Sequence, residues 1–120
     1  MLDITFQGQA PEVTEPYIAK LDEMIACQPH AIVSKIIANK PTGTVTMFAF
    51  DEGQSISEQA VPFDSVLFVT SGEMEIHLED GEIQRVGEEM MIHLPAGTRH
   101  SIHAPRPFKM FSILIRADES

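Results

Sequence analysis

The stretch SVLFVTSGEMEIHLEDGEIQRV, Ser65 to Val86, decides the fold class. Ser65 to Thr70 is a short apolar run. Ser71-Gly72 is a turn pair. From Glu73 to Glu79 polar and apolar residues alternate, with Met74, Ile76 and Leu78 on one face and Glu73, Glu75, His77 and Glu79 on the other. A period of two is the signature of a half-buried strand. Asp80-Gly81 is a strong hairpin turn, because both of its residues tolerate the positive φ that tight hairpins demand. Glu82 to Val86 then forms the return strand.

The same grammar extends in both directions. Upstream, Ile32 to Ala38, Thr44 to Phe50 and Ser55 to Gln59 read as strands, separated by Asn39-Lys40-Pro41-Thr42-Gly43 and by Asp51-Glu52-Gly53. Downstream come Glu89 to Leu94, Ser101 to Ala104 and Phe108 to Ile115. About nine strands with turns every eight to twelve residues predict an all-β sandwich or barrel. Gly and Pro fall at the joints.

The N-terminal part differs. Met1 to Pro16 reads as an extended arm with a short strand near Asp3 to Gln7. Thr14 to Cys27 reads as the one helix: Thr14 caps it, Pro16 fits its first turn, and Tyr17, Ile18, Leu21, Met24 and Ile25 form an apolar stripe. Residues 1–30 are therefore expected to pack on a barrel or swap between barrels, and residues 31–120 to form the barrel itself.

Composition narrows the function. The chain has 120 residues, one domain's worth, and 43% are hydrophobic. The net charge is -10. Such a surface repels the polyanions of nucleic acid and of acidic membranes, so neither is an expected partner. No apolar run approaches the roughly 20 residues of a membrane span. Met1 to Ala10 has no basic residue and no apolar core of the kind a secretory signal carries, so a cytoplasmic location is expected. The single cysteine, Cys27, excludes an internal disulfide and reads as a buried free thiol.

Two segments carry a family resemblance. From Gly53, five residues lead to Gln59-Ala60-Val61, then Ser65, then six residues to Gly72. Farther on stand Gly87, Pro95, Ala96, Gly97 and His100, with Ala104 after them. This framework resembles the two motifs of the small single-domain bacterial cupins, over roughly Ile32 to Arg116. The resemblance implies a double-stranded β-helix, the jelly-roll barrel. It also implies a divalent transition metal held by two histidines, a glutamate and a third histidine. Here those positions are Gln59, Val61, Ser65 and His100, so the metal motif is largely stripped and no cofactor is the expectation. Seven residues separate Gly87 from Pro95, two more than the pattern, and an insertion of two preserves side-chain facing along a strand.

Three readings follow. In the first, the barrel binds a small organic molecule in an apolar pocket lined by Val61, Ser65, Leu67, Met91 and Ile102, with Met47 as a further candidate. Gln59 and His100 are its polar anchors, and Arg99 is available for a carboxylate. His100 could then act as a general base in a metal-free isomerisation, dehydration or cyclisation. In the second, His100, Gln59 and His93 hold a metal in an atypical site. In the third, the barrel is filled by its own side chains. The resemblance further implies a homodimer in which an N-terminal strand crosses to the partner's sheet, and Leu2, Ile4 and Phe6 alternate as that requires.

Overall fold

The computed structural model describes residues 4–6 and 13–116. Its strands are β1 (Ile4–Phe6), β2 (Ile32–Lys40), β3 (Gly43–Phe50), β4 (Ser55–Gln59), β5 (Phe63–Ser71), β6 (Met74–Leu78), β7 (Ile83–Val86), β8 (Met91–Leu94), β9 (His100–His103) and β10 (Phe108–Arg116). One sheet runs β1-β2-β3-β10-β5-β8, the other β4-β9-β6-β7. Apart from the parallel β1–β2 pair, every pairing is antiparallel. The two sheets face each other as a double-stranded β-helix.

Period-two alternation assigns the faces. Ile32, Phe50, Phe108, Val69, Met74, Ile76, Ile102 and Met110 bury inward in one shared core. At its base the Phe50 and Phe108 rings stack with centroids 4.5 Å apart. The opposite face of the larger sheet buries Val33, Met47 and Ala49 beneath Ile25, with Met24, Cys27 and Phe111 beside them. Met47, a candidate pocket residue, therefore lies outside the barrel.

The glycine at the β5–β6 joint is demanded by both backbone and space. Gly72 has φ +79°, and a Cβ there would press on the Pro107 carbonyl oxygen and Phe108.

The helix expected over Thr14 to Cys27 is a single turn, α1 (Leu21–Met24), preceded by extended chain. The stripe has no surface to bury against: Tyr17, Ile18 and Leu21 are exposed, and only Ile25 is sealed. Lys20 at the start of α1 makes no capping hydrogen bond. Helix nucleation is costly and needs tertiary burial to offset it, so an unrewarded stripe stays extended. The strand expected near Asp3 to Gln7 is present as β1, lying parallel to β2 of the same chain; Leu2, of the alternating arm residues, lies outside the described residues.

Candidate functional site

His100 opens β9, inside the barrel. Across the sheet it stands opposite Gln59 of β4 on one side and Leu78 of β6 on the other. It is buried. The Thr98 carbonyl lies 3.0 Å from its Nδ1. A carbonyl only accepts, so Nδ1 carries the hydrogen and fixes the ring's orientation. Nε2 has no hydrogen-bond partner among the described residues.

The loop before His100 is tied to the loop after Gln59. Gly97 N donates to the Val61 carbonyl at 2.8 Å, and Ala96 N donates to Asp64 Oδ1 at 2.9 Å. These two bonds set one rim of the barrel.

The barrel is sealed at one end and less deeply buried at the other. Ile32, Phe50, Phe108, Val69 and Met74 seal the base. Toward the His100 end, Thr46, Leu78, Ile92 and Leu114 are only half-buried, although their neighbours along each strand assign them to the inner faces.

Of the residues expected at the site, His100, Gln59, Ser65, Leu67 and Ile102 lie on inner faces, with Leu67 and Ile102 in the sealed core. Val61 sits in the rim loop. Met91 and His93 do not join them. They stand opposite Phe68 and Val66 on the outer face of the larger sheet, both exposed, while Ile92 and Leu94 between and beyond them turn inward. Arg99 is also outside, 3.4 Å from Glu58 in an exposed ion pair.

The donors do not fit a metal of the kind the resemblance implies. Val61 offers no donor atom, Ser65 offers a neutral hydroxyl, and His93 is on the wrong side of its sheet for the His100, Gln59 and His93 arrangement. Among the described residues no three His, Cys, Asp or Glu side chains form a metal-holding group. One imidazole and one amide are too few for a first-row metal.

Of an inner-face band of hydroxyls, sequence reasoning named Ser65 and missed the other three. Thr46 of β3 and Ser112 of β10 are direct cross-strand partners. Ser34 of β2 lies diagonal to Thr46, and Ser65 of β5 lies diagonal to Ser112. Their signal is parity: each is a hydroxyl in phase with buried apolar residues of its own strand.

Two concave regions lie outside the barrel. A groove of about 840 Å³ runs between the arm and β2, with Val13, Tyr17, Ile18, Lys35 and Ile37 in its walls. A smaller one of about 350 Å³ lies by Lys20 and Lys109. Size favours the groove as a binding site, but it holds no histidine and its arm wall is exposed. The barrel mouth has the chemistry. Burial pushes the Cys27 thiol above its ordinary value, against a smaller pull from Lys109.

On the outer face of the smaller sheet, the His77 and His103 rings meet at a tilt of 43° with centroids 4.2 Å apart. His77 Nε2 donates to Glu75 Oε1 at 2.8 Å, Ser101 Oγ lies 3.0 Å from His103 Nε2, and Arg85 pairs with both Glu73 and Glu75.

Residues 46–114 match the family model described as Cupin domain. Among solved structures, a conserved protein of unknown function from Streptococcus pyogenes superposes with a TM-score of 0.82 at 24% identity, over 93% of this chain and 97% of that one. A cupin superfamily protein from Desulfitobacterium hafniense gives 0.81 at 21% identity, over 92% and 100%. A Cupin 2 conserved barrel domain protein from Leptotrichia buccalis is 30% identical, with a TM-score of 0.74 over 78% of this chain and 45% of that one. No curated protein matches the chain. No helix among the described residues is long and apolar enough to cross a membrane.

Proposed function

Since the chain belongs to the cupin domain family, we propose that it binds a small organic molecule in the less deeply buried end of its barrel, with His100 and Gln59 as polar anchors. One observation carries this reading: a buried imidazole on the inner face is fixed through Nδ1 by the Thr98 carbonyl, and its Nε2 has no partner among the described residues. Gln59 opposite adds an amide that both donates and accepts. Few, convergent polar groups over an apolar floor are what small-ligand sites use.

The free Nε2 is also chemically able to take a proton from carbon next to a carbonyl. Isomerisation, dehydration and cyclisation are the reaction types open to such a base.

The test is ligand-observed NMR with a mixture of small hydroxylated and carbonyl compounds, on the parent and on His100→Ala. Compounds bound by the parent and lost by the variant support the reading. Compounds bound equally by both move the site elsewhere. Elemental analysis of the same two samples tests the metal-free part: near-stoichiometric metal in the parent that disappears from His100→Ala would overturn it.

A homodimer is the second part of the proposal. The exposed apolar side chains Val13, Tyr17, Ile18 and Leu21, together with the groove beside β2, support a partner on the arm side. Sedimentation of the chain lacking residues 1–9 is expected to show a lower dimer fraction. An unchanged dimer would sink the idea.

A further inference from the structure

Three of the four polar side chains sealed among the described residues are hydroxyls. Among the described residues, the buried polar or charged side chains are Ser34, Ser65, Ser112 and His100. None is a carboxylate, an ammonium or a guanidinium. Three are hydroxyls, and with Thr46 they form the band that crosses four adjacent strands, β2-β3-β10-β5, on the face turned toward the barrel interior.

Serine and threonine are expensive choices there. A hydroxyl buried without a partner costs about 1–3 kcal/mol, and an apolar residue of similar size would fill the same space. Ser34 shows this cost directly: it is fully buried and its Oγ has no hydrogen-bond partner. It belongs to the inner face, because it stands opposite Phe48 while its neighbours Val33 and Lys35 turn outward onto Ile25 and the Met24 carbonyl. An unpartnered donor and acceptor in a barrel less deeply buried at one end calls for a partner that enters from that end.

Resting on the barrel-ligand reading above, the geometry points to an uncharged, polyhydroxylated small molecule as the ligand class. Hydroxyls of the ligand give and take hydrogen bonds along the serine and threonine band, while His100 Nε2 and Gln59 bind its other side. Hydroxyl pairs with hydroxyl without charge, and no buried ion stands ready for an anionic or cationic group. The exposed Arg99, held by Glu58, is not placed to receive a carboxylate in the barrel.

The experiment titrates the full chain with xylitol, D-glucose and 1-hexanol, followed by amide shifts in NMR, beside a Ser34→Ala/Ser112→Ala double variant. Xylitol or glucose is expected to shift amides of β9 and β10 saturably. Losing two hydrogen bonds is expected to weaken that binding about tenfold or more, while the ligand-free variant melts no lower than the parent. Hexanol binding without polyol binding would overturn the ligand class and leave the barrel site standing. Silence from all three probes would overturn both. Equal polyol affinity in parent and double variant would remove the band from the site.

Discussion

His77 and His103 face each other from neighbouring strands with ring centroids 4.2 Å apart, and the Glu75 carboxylate serves both. Burial holds His103 below its ordinary value of 6.5; His77 pushes the same way, and Glu75 opposes them. The unfolded chain therefore binds this proton before the folded chain does. Stability is fully present above 6.5 and is lost as pH falls through the lowered folded value. Glu75 is also lowered, chiefly by its hydrogen bond from His77, and adds a second loss below its ordinary 4.5. Melting temperatures measured from pH 7.5 to 5 are expected to fall in the parent and to fall less in His103→Asn. Parallel curves would remove His103 as the cause.

Gly72→Ala is expected to be the costliest glycine substitution at a turn. Positive φ alone costs an L-residue about 1–2 kcal/mol, and here the new methyl also meets the Pro107 carbonyl oxygen and Phe108. Gly81→Ala shares the positive φ, at +91°, but meets nothing within 4 Å. Urea unfolding should place Gly72→Ala below Gly81→Ala. Equal midpoints would mean that the β5–β6 joint relaxes around the methyl.

Between Val13 and Cys27 one side chain is fully buried. Ile25 is sealed against Val33, Met47 and Ala49, whereas Ile18 is fully exposed. Truncating a buried isoleucine to alanine costs about 2–5 kcal/mol, so Ile25→Ala should lower stability markedly. Ile18→Ser should change it by less than about 0.5 kcal/mol. A large effect at Ile18 in dilute, monomeric protein would contradict the exposed arm.

Ser34→Ala is expected to stabilise the ligand-free protein by about 1 kcal/mol, because it removes a sealed hydroxyl without a partner. Calorimetric melting checks this. A fall in melting temperature would mean that the hydroxyl is already bonded.

How far the sequence could be read follows from the range of its signals. Strands are local: the Glu73–Glu79 alternation returns as Met74–Leu78, and Ser55–Gln59 returns unchanged. The helix misreading has a physical origin, since an apolar stripe at Tyr17, Ile18 and Leu21 predicts a helix only where a surface exists to receive it. His100 was legible because the Pro95-Ala96-Gly97 turn fixes where β9 begins. Met91 and His93 were not, because β8 has only four residues, with an apolar side chain on each face, and they do not say which face is inward. The hydroxyl band was the least legible. Ser34, Thr46, Ser112 and Ser65 come from four strands scattered along the chain, and only the pairing register makes them neighbours.

The order of the larger sheet has a consequence for how the chain is made. β10, the last of the described strands in chain order, lies between β3 and β5 and pairs with both. Until Phe108–Arg116 leaves the ribosome, the sheet exists as two separate pieces, each with an open edge where β10 belongs. Those edges are unpaired strand templates during translation. Chains stalled or clipped before Phe108 should therefore be the aggregating species, because β10 is what covers those two edges.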